Sequence, residues 1–378
     1  MKKIKTDFLI VGAGFYGCVL AERIASVLKK NVTIIEKRDH IGGNCYSEVD
    51  VKTGIEFHKY GTHIFHTSNK IVWDYLKDFT YFNNYRHQVL SRYKNKTYQL
   101  PINLETINNF FNKDFSPSEA KQFIEKQAKK FKKFDKNNFE TKACSQIGEK
   151  LYKAFIKNYT FKQWGKNPKN LPSSIFNRLP LRFDYNEDYF KNSIIQGIPK
   201  EGYTKIFERL VKNSKIKLLY NSNYEFHNNH EVKYLTIYTG PLDKLLSNKF
   251  GKLEWRSLEF KKQIMNVKDF QGTSVMNYPE LKNKFTRIHE PRHLHPERNY
   301  GEKTLIIKEY PNDNSNEPYY PINDIENRLR HKKYKNFIIN NNKKMIFGGR
   351  LADYAYYDMD MTISAALKKF EQIKKNLK

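Results

Sequence analysis

Between Asp7 and Asn44 the chain carries a pattern that few folds can accommodate. Asp7-Phe8-Leu9-Ile10-Val11 is a short apolar run of the kind found in a parallel strand buried on both faces. It runs into Gly12-Ala13-Gly14-Phe15-Tyr16-Gly17, then a helical pattern from Cys18 to Lys29, then a second strand from Asn31 to Ile35 that stops at Glu36. Each glycine has a mechanical task. Gly12 allows the tight turn, Gly14 lets the backbone approach a pyrophosphate, and Gly17 lets helix and strand pack closely. The helix N-terminus offers N–H groups and a positive dipole end to phosphates, and Glu36, with Lys37 beside it, can accept hydrogen bonds from an adenosine ribose. A bare glycine motif is weak, but strand, helix and acid at the right distance together specify dinucleotide binding. A secretory leader is the competing reading of Met1-Lys2-Lys3 and the apolar segment. Asp7, the glycines and the lack of a small-residue cleavage site before Glu22-Arg23 oppose it.

The residues just after Glu36 narrow the cofactor. Arg38-Asp39-His40-Ile41-Gly42-Gly43-Asn44 resembles the second glycine turn of FAD-binding Rossmann-like flavoproteins, which presses against the flavin side of the cofactor. That resemblance implies FAD rather than NAD, with Gly43 and Asn44 touching it.

Composition matters chiefly through charge. With 68 Lys and Arg against 40 Asp and Glu the net charge is +28, which invites a nucleic-acid partner. The lysines are spread from Lys2 to Lys378, however, and the most basic stretch, Lys126 to Lys136, sets Ala128, Phe131 and Phe134 at helical spacing. A solvated basic surface favouring anionic substrates is the better reading, with no nucleic-acid partner. No run of eighteen apolar residues exists, so no stable membrane insertion is expected. Cys18, Cys45 and Cys144 are odd in number and scattered, which suits a reducing cytoplasm and gives no disulfide framework. His58, His63 and His66 invite a metal, but their segment contains Gly61, does not stack them on a helix and brings no carboxylates, so no metal is expected.

Downstream, Ile71 to Phe79 reads as a short helix and Gln88 to Gln99 as a strand pair. Residues 102–161 read as helical, opened at Ser116-Pro117-Ser118-Glu119. Thr160 to Pro172 reads as an exposed loop presenting Trp164, an aromatic able to close over a ligand. Residues 176–199 read as strand-like, Leu235 to Gly240 as a late return to the dinucleotide sheet, and Thr304 to Tyr310 as strand. Met345 to Arg350 is a strand with a double-glycine turn, where such flavoproteins complete the cofactor pocket, before a helix from Met361 to Asn376. The fold class is therefore α/β: a Rossmann-like domain with an inserted helical bundle and an antiparallel β-sheet domain.

The chain resembles bacterial UDP-galactopyranose mutases over nearly its whole length. The matching stretches include His58-Lys59-Tyr60-Gly61-Thr62-His63-Ile64-Phe65-His66-Thr67, Tyr159-Thr160-Phe161-Lys162-Gln163-Trp164-Gly165 and Arg178-Leu179-Pro180-Leu181-Arg182-Phe183. Gln196-Gly197-Ile198-Pro199, Glu317-Pro318-Tyr319-Tyr320-Pro321 and Gly348-Gly349-Arg350-Leu351-Ala352-Asp353-Tyr354 extend the match. Thr62 departs from it, standing where the family has a small apolar residue or Pro.

The resemblance implies three parts: an FAD domain (1–84 with 200–245 and 343–378), a helical bundle (100–172) ending in a mobile loop, and a substrate sheet (85–99 with 173–199 and 250–342). It implies interconversion of UDP-galactopyranose and UDP-galactofuranose on reduced FAD, whose N5 attacks the anomeric carbon, supplying galactofuranose for cell-surface polysaccharide. By resemblance, Arg178 and Arg287 grip the diphosphate, Tyr159 stacks on uracil and Trp164 lies near the sugar. Tyr189, Tyr320 and Tyr356 hydrogen-bond the phosphates, with Asn277 and Asp358 nearby. His63 and His66 lie beside the isoalloxazine, while Arg256, Gly349 and Arg350 contact FAD. A homodimer is the expected assembly. Relatives acting on UDP-N-acetylgalactosamine or dTDP-linked deoxyhexoses carry nearly the same motifs. An FAD amine-oxidase-like oxidoreductase would share the N-terminal motif but has no use for the Arg and Tyr set.

Overall fold

The computed structural model describes residues 3–133, 137–178, 181–190, 194–228, 230–313 and 317–377; the side chains of Ser174, Asn177 and Arg178 lie outside the described residues. The chain opens with β1 (Lys5–Val11), α1 (Phe15–Val27) and β2 (Val32–Ile35). The helix begins three residues before the expected Cys18, so Phe15-Tyr16-Gly17 form its first turn. A Cβ at Gly12, where φ is +107°, would fall 2.0 Å from Thr239 Oγ1, and one at Gly17 would strike the Gly12 carbonyl oxygen at 2.1 Å. Both glycines are demanded by the packing of the protein itself.

β3 (Ser47–Val49) and β4 (Glu56–His58) pair antiparallel, and β5 (Phe65–Thr67) leads to α2 (Lys70–Lys77). β6 (Val89–Tyr93) and β7 (Lys96–Leu100) are the expected hairpin. Then come α3 (Leu104–Phe111), α4 (Pro117–Ala128), α5 (Phe139–Leu151) and α6 (Asn158–Trp164), the last two joined by a π-helical turn at Tyr152–Lys157. α4 starts in a full capping box: the Ser116 hydroxyl accepts from Glu119 N–H and the Glu119 carboxylate accepts from Ser116 N–H.

β8 (Ile195–Gly197) precedes α7 (Tyr203–Leu210), β9 (Ile216–Leu219), β10 (Glu231–Tyr238) and a short α8 (Leu242–Leu245). β11 (Trp255–Met265), β12 (Val275–Asn277), β13 (Arg287–His289), β14 (Thr304–Asn312) and β15 (Tyr320–Pro321) come next. α9 (Ile325–Asn341), β16 (Met345–Phe347) and α10 (Met359–Asn376) close the order.

Two sheets dominate. The five-stranded sheet, in the order β16-β10-β1-β2-β9, is parallel, and β10 lies beside β1 as the apolar run at Leu235 anticipates. α1, α7 and α10 bury Leu20, Phe207 and Phe370 with its strands. The seven-stranded sheet, β15-β11-β14-β13-β12-β6-β7, is antiparallel except where β12 meets β6. Its register sets Asn277 opposite Arg287 and Arg287 opposite Glu309, so three polar side chains share one row and one face. Tyr334 and Ile338 of α9 pack with Tyr238, Leu242 and Met345 beside the parallel sheet.

Two expectations fail: Thr160 to Pro172 is not all loop, since α6 runs on to Trp164 and Pro168–Asn170 is a 3₁₀ turn, and the stretch after it is not a sheet. Among the described residues of 176–199 most are not strand: Ser173–Arg178 is a 3₁₀ turn, residues 181–190 are bends and irregular chain, Ile195–Gly197 pairs with β5, and Pro199 makes a single bridge to Phe82. The cause is local. Asp184 Oδ1 accepts from Asn186 N–H at 3.0 Å and Asn186 Oδ1 from Asp188 N–H at 2.8 Å, and Arg182 donates to the carbonyls of Asn186 and Asp188. Side chains thus satisfy backbone groups that a ladder would use. Among the described residues no helix is long and apolar enough to cross a membrane.

Candidate active site

A cavity of about 1600 Å³ runs from the β1–α1 turn to the face of the antiparallel sheet. That exceeds the roughly 300–1,000 Å³ which hold one small ligand, so it has room for two. Gly12, Gly14, Gly17, Glu36, Lys37, Gly43 and Asn44 line one end. Trp164, Tyr189, Asn277, Arg287, Tyr320, Tyr356 and Asp358 line the other, and His63, His66, Arg256, Gly349 and Arg350 also reach its wall. Tyr159 does not line it. Its hydroxyl instead hydrogen-bonds Arg287 Nη2, and its ring lies 5.7 Å beneath that guanidinium. The Arg178 side chain lies outside the described residues.

The dinucleotide end is a cradle between two glycine turns. Gly14 is unlike its neighbours: the nearest atom to a Cβ there would be Gly43 Cα, 3.9 Å away. No side chain caps α1 and no acid stands in its first turn, which leaves its positive end to a phosphate. Gly42 N–H donates to Ala13 O at 2.9 Å, tying the second glycine turn to the first. Glu36 is buried, its oxygens accepting from Ala13 N–H at 2.8 Å and Arg38 N–H at 2.9 Å, so the carboxylate is held rigidly at the cavity edge. Lys37 turns to the rim, where it and Arg38 pair with Glu317 at 3.0 and 2.5 Å. These residues fit an FAD: open backbone at Gly14, an uncapped helix start and a fixed acid.

Arg350 is the most telling group nearby. It stacks over Tyr356 at 4.6 Å and Tyr320 at 5.3 Å, while its buried Nε and Nη2 find no hydrogen-bond partner among the described residues. A buried guanidinium without acceptors is costly, so this one suits a bound acceptor. Arg256 behaves differently. It is 4% exposed, donates to the carbonyls of Gln163 and Lys162 and pairs with Asp313, so its donors serve the end of α6.

His63 has a defined proton. Burial, with Arg350 and His289 nearby, pulls its pKa down to about 4 against the opposing Gly61 carbonyl, so the ring is neutral. Nδ1–H donates to Gly61 O at 2.6 Å, which makes Nε2 an acceptor. His63 N–H in turn donates to His58 Nδ1 at 2.9 Å. His66 stacks on Phe190 with centroids 3.7 Å apart.

At the anionic-ligand end, Glu309 is 2% exposed beneath Arg287, whose Nε lies 3.5 Å from Oε1. It also accepts from His289 Nε2–H at 3.0 Å and the Thr286 hydroxyl at 3.1 Å. Burial acts to raise its pKa, but Arg287, His289 and Thr286 more than offset this and hold it below the usual carboxylate range. Asn277 Oδ1 is buried without a partner among the described residues. Glu309 is a site residue that no sequence motif marks. Its one signal is an acid inside the otherwise apolar run Thr304 to Tyr310.

A profile for an NAD(P)-binding Rossmann-like domain matches residues 10–79, and one described as UDP-galactopyranose mutase matches residues 154–356. The chain is 39% identical to a probable UDP-galactopyranose mutase of Klebsiella pneumoniae, over 97% of this chain and 94% of that one. It is 36% identical to a dTDP-fucopyranose mutase of Escherichia coli, over 98% and 99%. A crystal structure of a reduced UDP-galactopyranose mutase shares the fold with a TM-score of 0.76, at 14% identity over 98% of this chain and 94% of that one. Fold and site define an enzyme of the mutase class built on a Rossmann-like dinucleotide domain. The chain belongs to the UDP-galactopyranose mutase family.

Proposed function

We propose that the protein interconverts UDP-galactopyranose and UDP-galactofuranose with FAD bound in its reduced form. The observation that carries this is continuity. One cavity joins the Gly14–Gly43 cradle to the row Asn277, Arg287 and Glu309, so a dinucleotide and an anionic ligand would share a wall. Reduced flavin supplies a nucleophile suited to the anomeric carbon, which a ring interchange needs and a hydride transfer does not.

The chain's own residues then bind and orient. Arg287, with Arg178, neutralises the diphosphate, and a guanidinium matches that fork better than an ammonium. The Tyr189, Tyr320 and Tyr356 hydroxyls add neutral donors. Tyr159 steadies Arg287 from behind, and Trp164 closes the sugar end. Neutral His63 offers Nε2 as a fixed proton acceptor beside the flavin. No protein nucleophile is required. Cys45 lines the cavity, but burial pushes its thiol up to about 12, so it is no thiolate at neutral pH. The free, scattered cysteines support a cytoplasmic reaction, and the product would serve cell-surface polysaccharide.

The E. coli relative named as acting on dTDP-fucopyranose favours one second reading, a dTDP-deoxyhexose as substrate. One experiment separates the two. Dithionite-reduced protein is incubated with UDP-galactose, UDP-N-acetylgalactosamine and dTDP-fucose in both ring forms, and products are resolved by chromatography. Turnover of UDP-galactose without consumption of reductant is expected. Turnover of the dTDP-sugar alone moves the substrate, and FAD-loaded protein inert toward all three sinks the mutase reading.

A further inference from the structure

Lys162 belongs to α6, between Tyr159 and Trp164, yet does not line the cavity. Its ammonium enters a ring of four main-chain carbonyls: Tyr278 at 2.5 Å, Phe285 at 2.8 Å, Asn283 at 3.0 Å and Glu280 at 3.2 Å. All four lie in the connection between β12 and β13. That connection starts just after Asn277 and ends just before Arg287. Four converging carbonyl dipoles repel one another unless a cation sits among them; the ring is partly buried, and of the four the Glu280 carbonyl also accepts from Asn283 N–H at 3.2 Å. Arg256 also holds α6, through the carbonyls of Lys162 and Gln163.

We propose that Lys162 is a positioning residue: its cation fastens the β12–β13 connection to α6, and so fixes Asn277 and Arg287 relative to Tyr159 and Trp164. The Arg287–Tyr159 hydrogen bond joins the same two elements nearer the cavity. It depends on both backbones being held, because neither side chain can set the other's position alone. Glu280 carries a carboxylate beside the ring, but it is engaged by Lys282 at 3.3 Å and by Lys94 N–H at 3.2 Å. The assignment rests on the proposed function only in taking Asn277, Arg287 and Trp164 to face a nucleotide-sugar, with Tyr159 behind Arg287.

The test replaces Lys162 with Met, which keeps the stem and removes the charge. It is run on the FAD-loaded full chain, with UDP as probe. UDP affinity by titration calorimetry should fall about tenfold or more, the scale that misplacing binding groups produces. KM should rise in step while kcat changes by less than about threefold. FAD stoichiometry should stay at the parent's value, and Lys162→Arg should recover part of the affinity. Arg287→Lys should weaken UDP binding less in the Lys162→Met background than in the parent, because the two losses overlap.

Parent-level UDP affinity in Lys162→Met overturns the proposal. So does a fall in affinity that tracks loss of FAD, since that marks a general failure of the fold. Should the Met variant not fold, Lys162→Gln, which keeps amide donors for two carbonyls, carries the test, and parent-level affinity there overturns it equally. A parent chain that holds FAD but binds neither UDP nor dTDP overturns the proposed function, and this assignment with it.

Discussion

Gly14 and Gly17 stand three residues apart and should fail differently when given a side chain. A Cβ at Gly17 meets the Gly12 carbonyl at 2.1 Å, whereas at Gly14 it meets only Gly43 Cα at an ordinary contact distance of 3.9 Å. Gly17→Ala should therefore lower stability by about 1–3 kcal/mol, the usual effect of overpacking, read by urea unfolding of the apoprotein. Gly14→Val should leave that midpoint close to the parent's while abolishing FAD retention after gel filtration. Parent-like FAD content in Gly14→Val would show the cradle to be misassigned. Glu309 makes a second test. Replacing it with Gln leaves Arg287 beside a neutral group in a buried site, and should remove about 3 kcal/mol at pH 7. The pH dependence comes from the sign of its shift. A carboxyl held below its ordinary 4.5 stabilises the fold above that value and loses the effect as pH falls through the lower folded pKa. The gap between parent and Glu309→Gln should be full at pH 7 and close below about pH 4.5. A gap constant from pH 7 to 3 contradicts the assignment. The glycines are legible in sequence because their constraint is local. Glu309 is not, because the groups that ionise it arrive from β13 through strand register.

At the scale of elements, periodicity and caps carry most of the fold's legibility. The start of α4 is the clearest case, since Ser116 and Glu119 satisfy each other's backbone donors. Ser116→Ala should lower stability by about 1 kcal/mol with no change in UDP or FAD affinity, because α4 stands away from the cavity lining. A changed affinity would mean that the helical unit is coupled to the site. Residues 176–199 mislead because their aromatic and Arg content suggests a sheet, while the side chains of Arg182, Asp184 and Asn186 have the stronger local claim on the backbone. Trp164 looks like a loop residue in sequence, yet it is the last residue of α6, and the helix stops only at Gly165, where φ is +62°. The sequence shows the glycine. It does not show that Arg256, nearly a hundred residues on, caps that helix end through two carbonyls and holds the last turn together.

For the whole molecule, the decisive relation is how the antiparallel sheet meets the dinucleotide half across the cavity mouth. Length and motif order are enough to expect two such bodies, but not the strap between them, which joins residues 279 and 280 positions apart. Glu317 just precedes β15, and its carbonyl is tied to Ser257 Oγ of β11, so its carboxylate projects from a fixed base. It reaches Lys37 at 3.0 Å and Arg38 at 2.5 Å, immediately after the acid that closes β2. Arg38 is itself fixed, lying 4.1 Å over the Tyr60 ring and donating to Asn44 Oδ1 at 2.9 Å. The Arg38 pair should dominate, because Arg38 is 13% exposed against 51% for Lys37. Partly exposed pairs are worth little singly, so the two together should contribute about 0.5–1.5 kcal/mol, or roughly a two- to tenfold effect on a rate. If FAD lies beneath this strap, Glu317→Gln should speed FAD dissociation by that factor, monitored by the return of flavin fluorescence on dilution. Salt should speed release from the parent more than from the variant, because screening removes from one what the other has already lost. Equal release rates at both low and high salt would place the cofactor's exit elsewhere.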